Sequence, residues 1–201
     1  MIIDPQTVSP AALYQFMISV IVPRPIAFVS TLSREGQLNV APFSYFNALT
    51  NQPPLLGISI NHRRGVRKDT LRNIEETGEF VVNMVDESLG PRMVQTSGDW
   101  PEDVDEFQLT GLTPVPSDLV RPPRVGESPA SLECRRYRTI ELGATFFVVG
   151  EILRGHVKDE VLTEGRVDVE KLRPLGRLGG DGYSAVREVI RMPRPRVEPK
   201  A

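Results

Sequence analysis

Apolar residues fall at two different periods along this chain. Between Pro10 and Val22, the residues Leu13, Phe16, Met17, Val20 and Ile21 recur at the spacing of one helical face. Ser9-Pro10 supplies a capping hydroxyl and a proline at the first helical position. An amphipathic helix ending before Pro23 is expected. Beyond it the period shortens. Ile26 to Leu32, Leu55 to Ile60, Phe80 to Val85, Leu132 to Ile140 and Phe146 to Leu153 are β-branched-rich runs bounded by Pro, Gly or Asn, and they read as strands. Arg67 to Thr77 reads as a helix carrying Leu71 and Ile74 inward and stopped by Gly78, and Ser88 to Thr96 as another. Strands this short, with hairpin-length turns and few helices, do not fit alternating parallel β/α units. They fit a closed or partly closed antiparallel barrel with helices packed outside, an α+β fold that is mainly β.

A chain of 201 residues favours one domain, expected over residues 1–192, with 193–201 as a disordered tail rich in Pro and Arg. Asp99 to Glu106 is acidic and broken by a proline, so it reads as a solvated loop. The proline-rich stretch from Pro114 to Pro129 is flanked by strand-like sequence and is no linker. Lys plus Arg (24) nearly cancels Asp plus Glu (26), which leaves no surplus positive charge for nucleic-acid binding. A single cysteine, Cys134, excludes an intramolecular disulfide and sits in an alternating strand pattern as a small core residue. With only His62 and His156 beside it, no zinc spacing exists. Met1 to Pro5 does not open a signal peptide and no run reaches membrane-helix length, so a cytoplasmic protein with no membrane partner is expected.

The chemistry concentrates between Pro23 and Thr70. Of the eleven residues from His62 to Arg72, five are Lys or Arg, including Arg63 and Arg64, and one is acidic. Arg67, Lys68 and Thr70 fall where a helix begins, and a helix start with charge-assisted donors suits a phosphate dianion. A solvated basic edge is the alternative. Asp69 either caps that helix or orients Arg67 or Lys68. Ala41 to Asn47 combines hydroxyl, amide and aromatic groups that could bind the edge of a flat heteroaromatic ring, or could be a strand and turn with core aromatics. Together these groups suggest a phosphorylated aromatic ligand.

Gly180 to Ala185 matches a dinucleotide fingerprint formally, but too little chain follows for a βαβ unit. Leu178 to Tyr183 reads instead as a flexible glycine loop approaching a ligand or a partner subunit, and as the candidate movable cover of a ligand. His62 and His156 are candidates for an acid or a ligand donor, and structural roles are the alternative. Glu133, Glu141 and Glu151 fall at strand positions expected to face solvent, and no carboxylate pair or catalytic triad emerges.

Six motifs occur in order: Pro-Arg-Pro-Ile-Ala at 23–27, Val-Ser-Thr at 29–31, Asn-Val-Ala-Pro-Phe-Ser-Tyr-Phe at 39–46, Pro-Pro at 53–54, Lys-Asp-Thr at 68–70 and Gly-Glu-Phe-Val-Val-Asn at 78–83. With Pro-Leu-Gly-Arg-Leu-Gly-Gly-Asp-Gly-Tyr at 174–183, the chain resembles the flavin reductase-like, FMN-binding split-barrel family over about residues 10–192. The resemblance implies an antiparallel Greek-key split β-barrel, a homodimer with one FMN per subunit at or near the interface, and hydride transfer from NADH or NADPH. Reduced flavin then passes to a partner monooxygenase or another acceptor. An electron-transfer or flavin-storage protein is the other reading. By resemblance, Ser30 and Thr31 lie along the ribityl and phosphate side, Ser44 and Asn47 near the isoalloxazine, and Ser59 on the neighbouring strand. Arg67, Lys68 and Thr70 hold the phosphate with Asp69 among them. Arg24 either joins the cofactor site or fixes the entry to the first strand. Gly179, Gly180, Asp181 and Tyr183 form the loop toward substrate or partner subunit. The flavin carries the chemistry, so no catalytic side chain and no metal is expected.

Overall fold

The structure is a computed structural model that describes residues 2–62 and 65–195. Arg63 and Arg64 of the basic cluster, and the tail from residue 196 on, lie outside the described residues. In chain order, α1 (Pro10–Val20) leads to β1 (Arg24–Pro25), β2 (Ala27–Leu32), β3 (Leu38–Phe43), β4 (Phe46–Asn51) and β5 (Pro54–Asn61). Then come α2 (Asp69–Thr77), β6 (Glu79–Asn83), α3 (Gly90–Thr96), α4 (Glu106–Thr110) and the short pair β7 (Pro114–Val115) and β8 (Arg124–Val125). The long hairpin of β9 (Ala130–Leu142) and β10 (Thr145–Val157) follows. It precedes β11 (Leu162–Thr163), β12 (Arg166–Val167), α5 (Val169–Leu172), β13 (Leu175–Arg177) and β14 (Tyr183–Ala185).

Seven strands form one antiparallel sheet in the order β3-β2-β6-β9-β10-β5-β4. Its two edge strands, β3 and β4, are joined by only Ser44 and Tyr45, so the sheet must curl until the edges meet. The result is a barrel split between them. The Ser59 N–H donates to Tyr45 O across that corner (2.8 Å). The crossover through α2 returns the chain to pair β6 with β2, the Greek-key step. Gly78 stops α2 in the left-handed region (φ 76°), as its position predicts.

β2 is buried on both faces. Val29 joins the barrel interior with Ile58, Phe80, Val148 and Leu71 of α2, while Phe28 joins a second core with Val40, Met93, Phe107 and Val125 under α3 and α4. Covered on both sides, the chain is apolar at Ile26 to Val29, and the two polar residues that follow, Ser30 and Thr31, are buried with hydrogen-bond partners. Gly150 is required by packing: a Cβ there would lie 2.3 Å from the Phe80 ring. Cys134 is a core residue, and burial pushes its thiol far above the ordinary range.

Four expectations need correction. Only Ile18 of α1 is buried, and Phe16, Met17, Val20 and Ile21 are exposed, so the helix does not turn its apolar face onto this barrel. Glu133 is fully buried rather than solvent-facing, because residues 117–119 fold over that face of β9. Its Oε1 accepts the Asp118 N–H (2.8 Å) and meets His156 Nε2 (2.6 Å), and its Oε2 accepts the Leu119 N–H (2.6 Å). Burial acts to raise its pKa, but these donors outweigh it and hold the carboxyl below its usual value. Glu106, at the end of the acidic loop, is buried on α4. The glycine run at 178–183 is a hairpin turn between β13 and β14, closed by Leu178 N–H to Gly182 O (3.0 Å) and Gly182 N–H to Gly179 O (3.1 Å).

Asn83 ties the second core to the barrel. Its Nδ2 donates to Phe28 O (3.0 Å) and Ser30 Oγ (3.1 Å), and its Oδ1 accepts from Val125 N–H and Ser131 Oγ (both 2.9 Å). Asn83→Ala leaves several of these buried groups unpaired and should cost about 2–4 kcal/mol. A urea titration should show the loss as a lower midpoint at unchanged slope, and an unaltered midpoint would contradict it.

Candidate functional site

The predicted helix start is built as the sequence suggests. Lys68 takes the cap position of α2 in extended conformation, with no side-chain capping bond. The first backbone bond of the helix is Arg72 N–H to Lys68 O (3.1 Å), so the amides of Asp69, Thr70 and Leu71 have no intrahelical acceptor. Asp69 is the first residue of the helix and not its cap, and its Oδ1 accepts from Arg72 Nη2 (2.7 Å). Arg67 pairs with Glu75 (2.7 Å), and its guanidinium lies 5.1 Å from the centre of the Phe146 ring. Lys68 Nζ lies 5.4 Å from that of Phe43.

Beneath the cations lies a buried polar net in which Thr31 and Thr70, both named from the sequence, are joined by Asn39 and Asn73, which were not. Asn39 Nδ2 donates to Thr31 Oγ1 (3.0 Å) and to Thr70 Oγ1 (2.9 Å), and Asn73 Nδ2 donates to Thr31 Oγ1 (3.0 Å). These bonds fix α2 on β2 and β3. Thr70 Oγ1 accepts from Asn39, and among the described residues its hydroxyl hydrogen has no acceptor. Thr31 therefore supports the site from behind. Asn39 opens the motif at 39–46, and that was its one signal in the sequence.

Asn39, Arg67, Lys68, Thr70 and Glu106 line a cavity of about 310 Å³, with Trp100 in its wall. A smaller cavity of about 170 Å³ is lined by Phe43, Ser44, Arg177 and Tyr183. Both have Pro42 and Ser97 as wall residues, so the two cavities adjoin along a groove: the first carries the helix-start cations Arg67 and Lys68 together with acidic side chains and Trp100, and the second carries Phe43, Tyr183 and Arg177.

Several expected site residues fall elsewhere. Ser30 is a correction: it lies on the β2 face that carries Phe28, donates to Pro123 O (2.6 Å) and is wholly buried. Arg24 is another. Its buried guanidinium donates to Ile18 O and Ile21 O (both 2.8 Å), Leu178 O (2.9 Å) and, more weakly, Ser44 Oγ (3.4 Å). It fixes the entry to the first strand and reaches the groove only through Ser44. Asn47 is exposed on β4 and Ser59 half-buried on β5, and neither lines the groove. The 178–182 turn lies against α1, where a Cβ on Gly179 would be 3.2 Å from Ser19 Oγ, and at its base Arg177 stacks on Tyr183 with its guanidinium 4.5 Å from the ring centre. Of that turn, Tyr183 lines the groove, whereas Gly179, Gly180 and Asp181 do not.

His62 rests against Phe146 with ring centres 5.0 Å apart. His156, held by Glu133, lines a separate cavity of about 410 Å³ with Arg124 and Lys158. Asp118, Glu133 and His156 bring potential metal-ligand atoms within 4.8 Å of one another. Asp118 is engaged by Arg154 (2.7 Å), and both Glu133 oxygens already accept backbone N–H groups, so this cluster is satisfied by protein.

The flavin reductase like domain model matches residues 19–175. A protein of Aquifex aeolicus is 44% identical over 173 residues, covering 85% of this chain and 88% of its own length. The structure of nitrilotriacetate monooxygenase component B from Bacillus cereus superposes with a TM-score of 0.92 at 36% identity, covering 96% of this chain and 98% of that one. The 2-nitrobenzoate 2-nitroreductase of Pseudomonas fluorescens superposes with a TM-score of 0.91 at 35% identity over the full length of both chains. A barrel split at one corner, a cationic helix start and a match across most of the chain lead to one conclusion: the protein belongs to the flavin reductase like domain family.

Proposed function

We propose that the chain, as one functional unit over residues 1–192, binds FMN in the Pro42–Ser97 groove and works as an NAD(P)H-dependent flavin reductase. The observation that carries this reading is the polarity of the groove. Arg67, Lys68, the Thr70 hydroxyl and the open amides of α2 gather at one end, where a phosphate would lie. Phe43, Ser44 and Tyr183 line the other, with the Arg177 guanidinium stacked on Tyr183, and a flat ring would rest there. FMN, held by these residues, would supply the hydride chemistry. The chain's own residues hold and orient. Arg24 fixes Ser44 and the 178–182 turn, Asn39 fixes Thr70, and the Phe43 and Phe146 rings hold the two cations in place. The component B neighbour supports a partner monooxygenase as electron acceptor, and a cytoplasmic location fits a nicotinamide-dependent activity.

The same reading makes the protein a homodimer. Phe16, Val20 and Ile21 on or beside α1, with Tyr137, Ile140 and Leu142 on the long hairpin, are exposed apolar groups that a second copy would cover.

Three outcomes test this reading. Lys68→Ala should weaken FMN binding about tenfold to a hundredfold, since a charge-assisted bond contributes about 1.5–3 kcal/mol, and riboflavin should bind the parent protein more weakly by a similar factor. Equal affinity for FMN and riboflavin would remove the cluster as a phosphate site. Anaerobic NADH or NADPH should bleach bound FMN within seconds. Bleaching by dithionite alone would move the assignment to electron transfer. Sedimentation should give twice the chain mass, and Val20→Asp should shift it toward monomer. A monomeric parent protein with FMN bound would overturn the dimer.

A further inference from the structure

One wall of the cavity at the α2 start carries a group that an anion should reject. Glu106 is only 7% exposed there, and its Oε2 accepts the Val40 N–H at 3.1 Å. Charged groups share the cavity with it. From α2 come Asp69 and Arg72, which pair with each other, and Arg72 also reaches Glu102 (both 2.7 Å). Arg67 and Lys68 precede that helix, Asp105 caps α4 beside it, and Asp99 shares the cavity wall. β3 contributes no titratable side chain, only Asn39 and the Val40 N–H. Burial pushes the Glu106 carboxyl up to about 7, with Asp69 and Asp105 acting in the same direction and the Val40 N–H against it.

We propose that Glu106 takes up a proton when a phosphate dianion enters this cavity, so that phosphate and proton bind together. The inference rests on the flavin-phosphate reading above and adds the proton. An ionised Glu106 repels the dianion, and a protonated one offers it a hydrogen bond, so occupation raises the pKa of Glu106 and draws the proton from solvent. The sign follows. Below the unbound pKa the carboxyl is already neutral and affinity is greatest, and affinity is lost as pH rises through the neutral range. The second ionisation of the phosphate itself, near about pH 6, acts oppositely and confines tight binding to a window around neutrality.

The test is fluorescence titration of the parent protein and Glu106→Gln with FMN and with riboflavin. From about pH 6.5 to about pH 8.5 the parent should lose about tenfold in FMN affinity, the equivalent of one pKa unit between free and bound protein. Glu106→Gln should hold its FMN affinity constant over that range, and riboflavin should show no such slope with either protein. Calorimetry of the parent in buffers of different ionisation enthalpy needs no variant. It should report net proton uptake with FMN and none with riboflavin. A slope that persists in Glu106→Gln, a parent whose FMN affinity is flat, or absent proton uptake would overturn the role of Glu106 and leave flavin binding intact. Failure of the parent to bind FMN at any pH would overturn the flavin reading, and this inference with it.

Discussion

Ser44 and Tyr45 join two strands that lie at opposite edges of a seven-stranded sheet, and that short link constrains everything else. Two residues cannot span an open sheet of this width, so the sheet closes and the split falls at the link. Pro42, Phe43 and Ser44 are thereby held at the barrel's corner, where they form the wall of the groove. The Greek-key return through α2 then sets a helix start beside that corner, and Arg67, Lys68 and Thr70 line the same groove.

Buried hydrogen bonds position these parts. Asn39, Asn83 and Arg24 each satisfy partners from separate elements, and each sits in an apolar setting where an unpaired group is costly. Arg24 holds α1, the 178–182 turn and Ser44 together. Asn39 does the same for β2, β3 and α2. The groove is therefore made of residues that have little freedom to shift independently, which suits binding of a rigid planar group.

The site is also balanced in charge. Arg67, Arg72 and Asp69 are held in ion pairs with neighbours, and Glu106 opposes the cations from within the cavity. A groove that was only basic would attract any polyanion. With FMN phosphate bound as proposed, the buried Glu106 carboxyl would discriminate by proton state as well as by shape.

The sequence by itself determined the elements whose signals are local. The strand runs, the helix ended by Gly78, the buried Cys134 and the cluster at 67–70 follow from periodicity and from residues adjacent in the chain, and the ordered motifs identify the family. The tertiary structure decided which polar groups are spent inside. Glu106 meets Val40 from 66 residues away, and Arg24 meets Leu178 from 154. No local pattern distinguishes an arginine that binds a ligand from one that binds three carbonyls, or an acidic loop residue in solvent from one folded into a cavity. The glycine turn and the exposed face of α1 show the same limit. Composition sets what a segment can do, but only its packed neighbours decide whether it is held or left uncovered, because burial and hydrogen-bond pairing depend on contacts the chain makes far from itself.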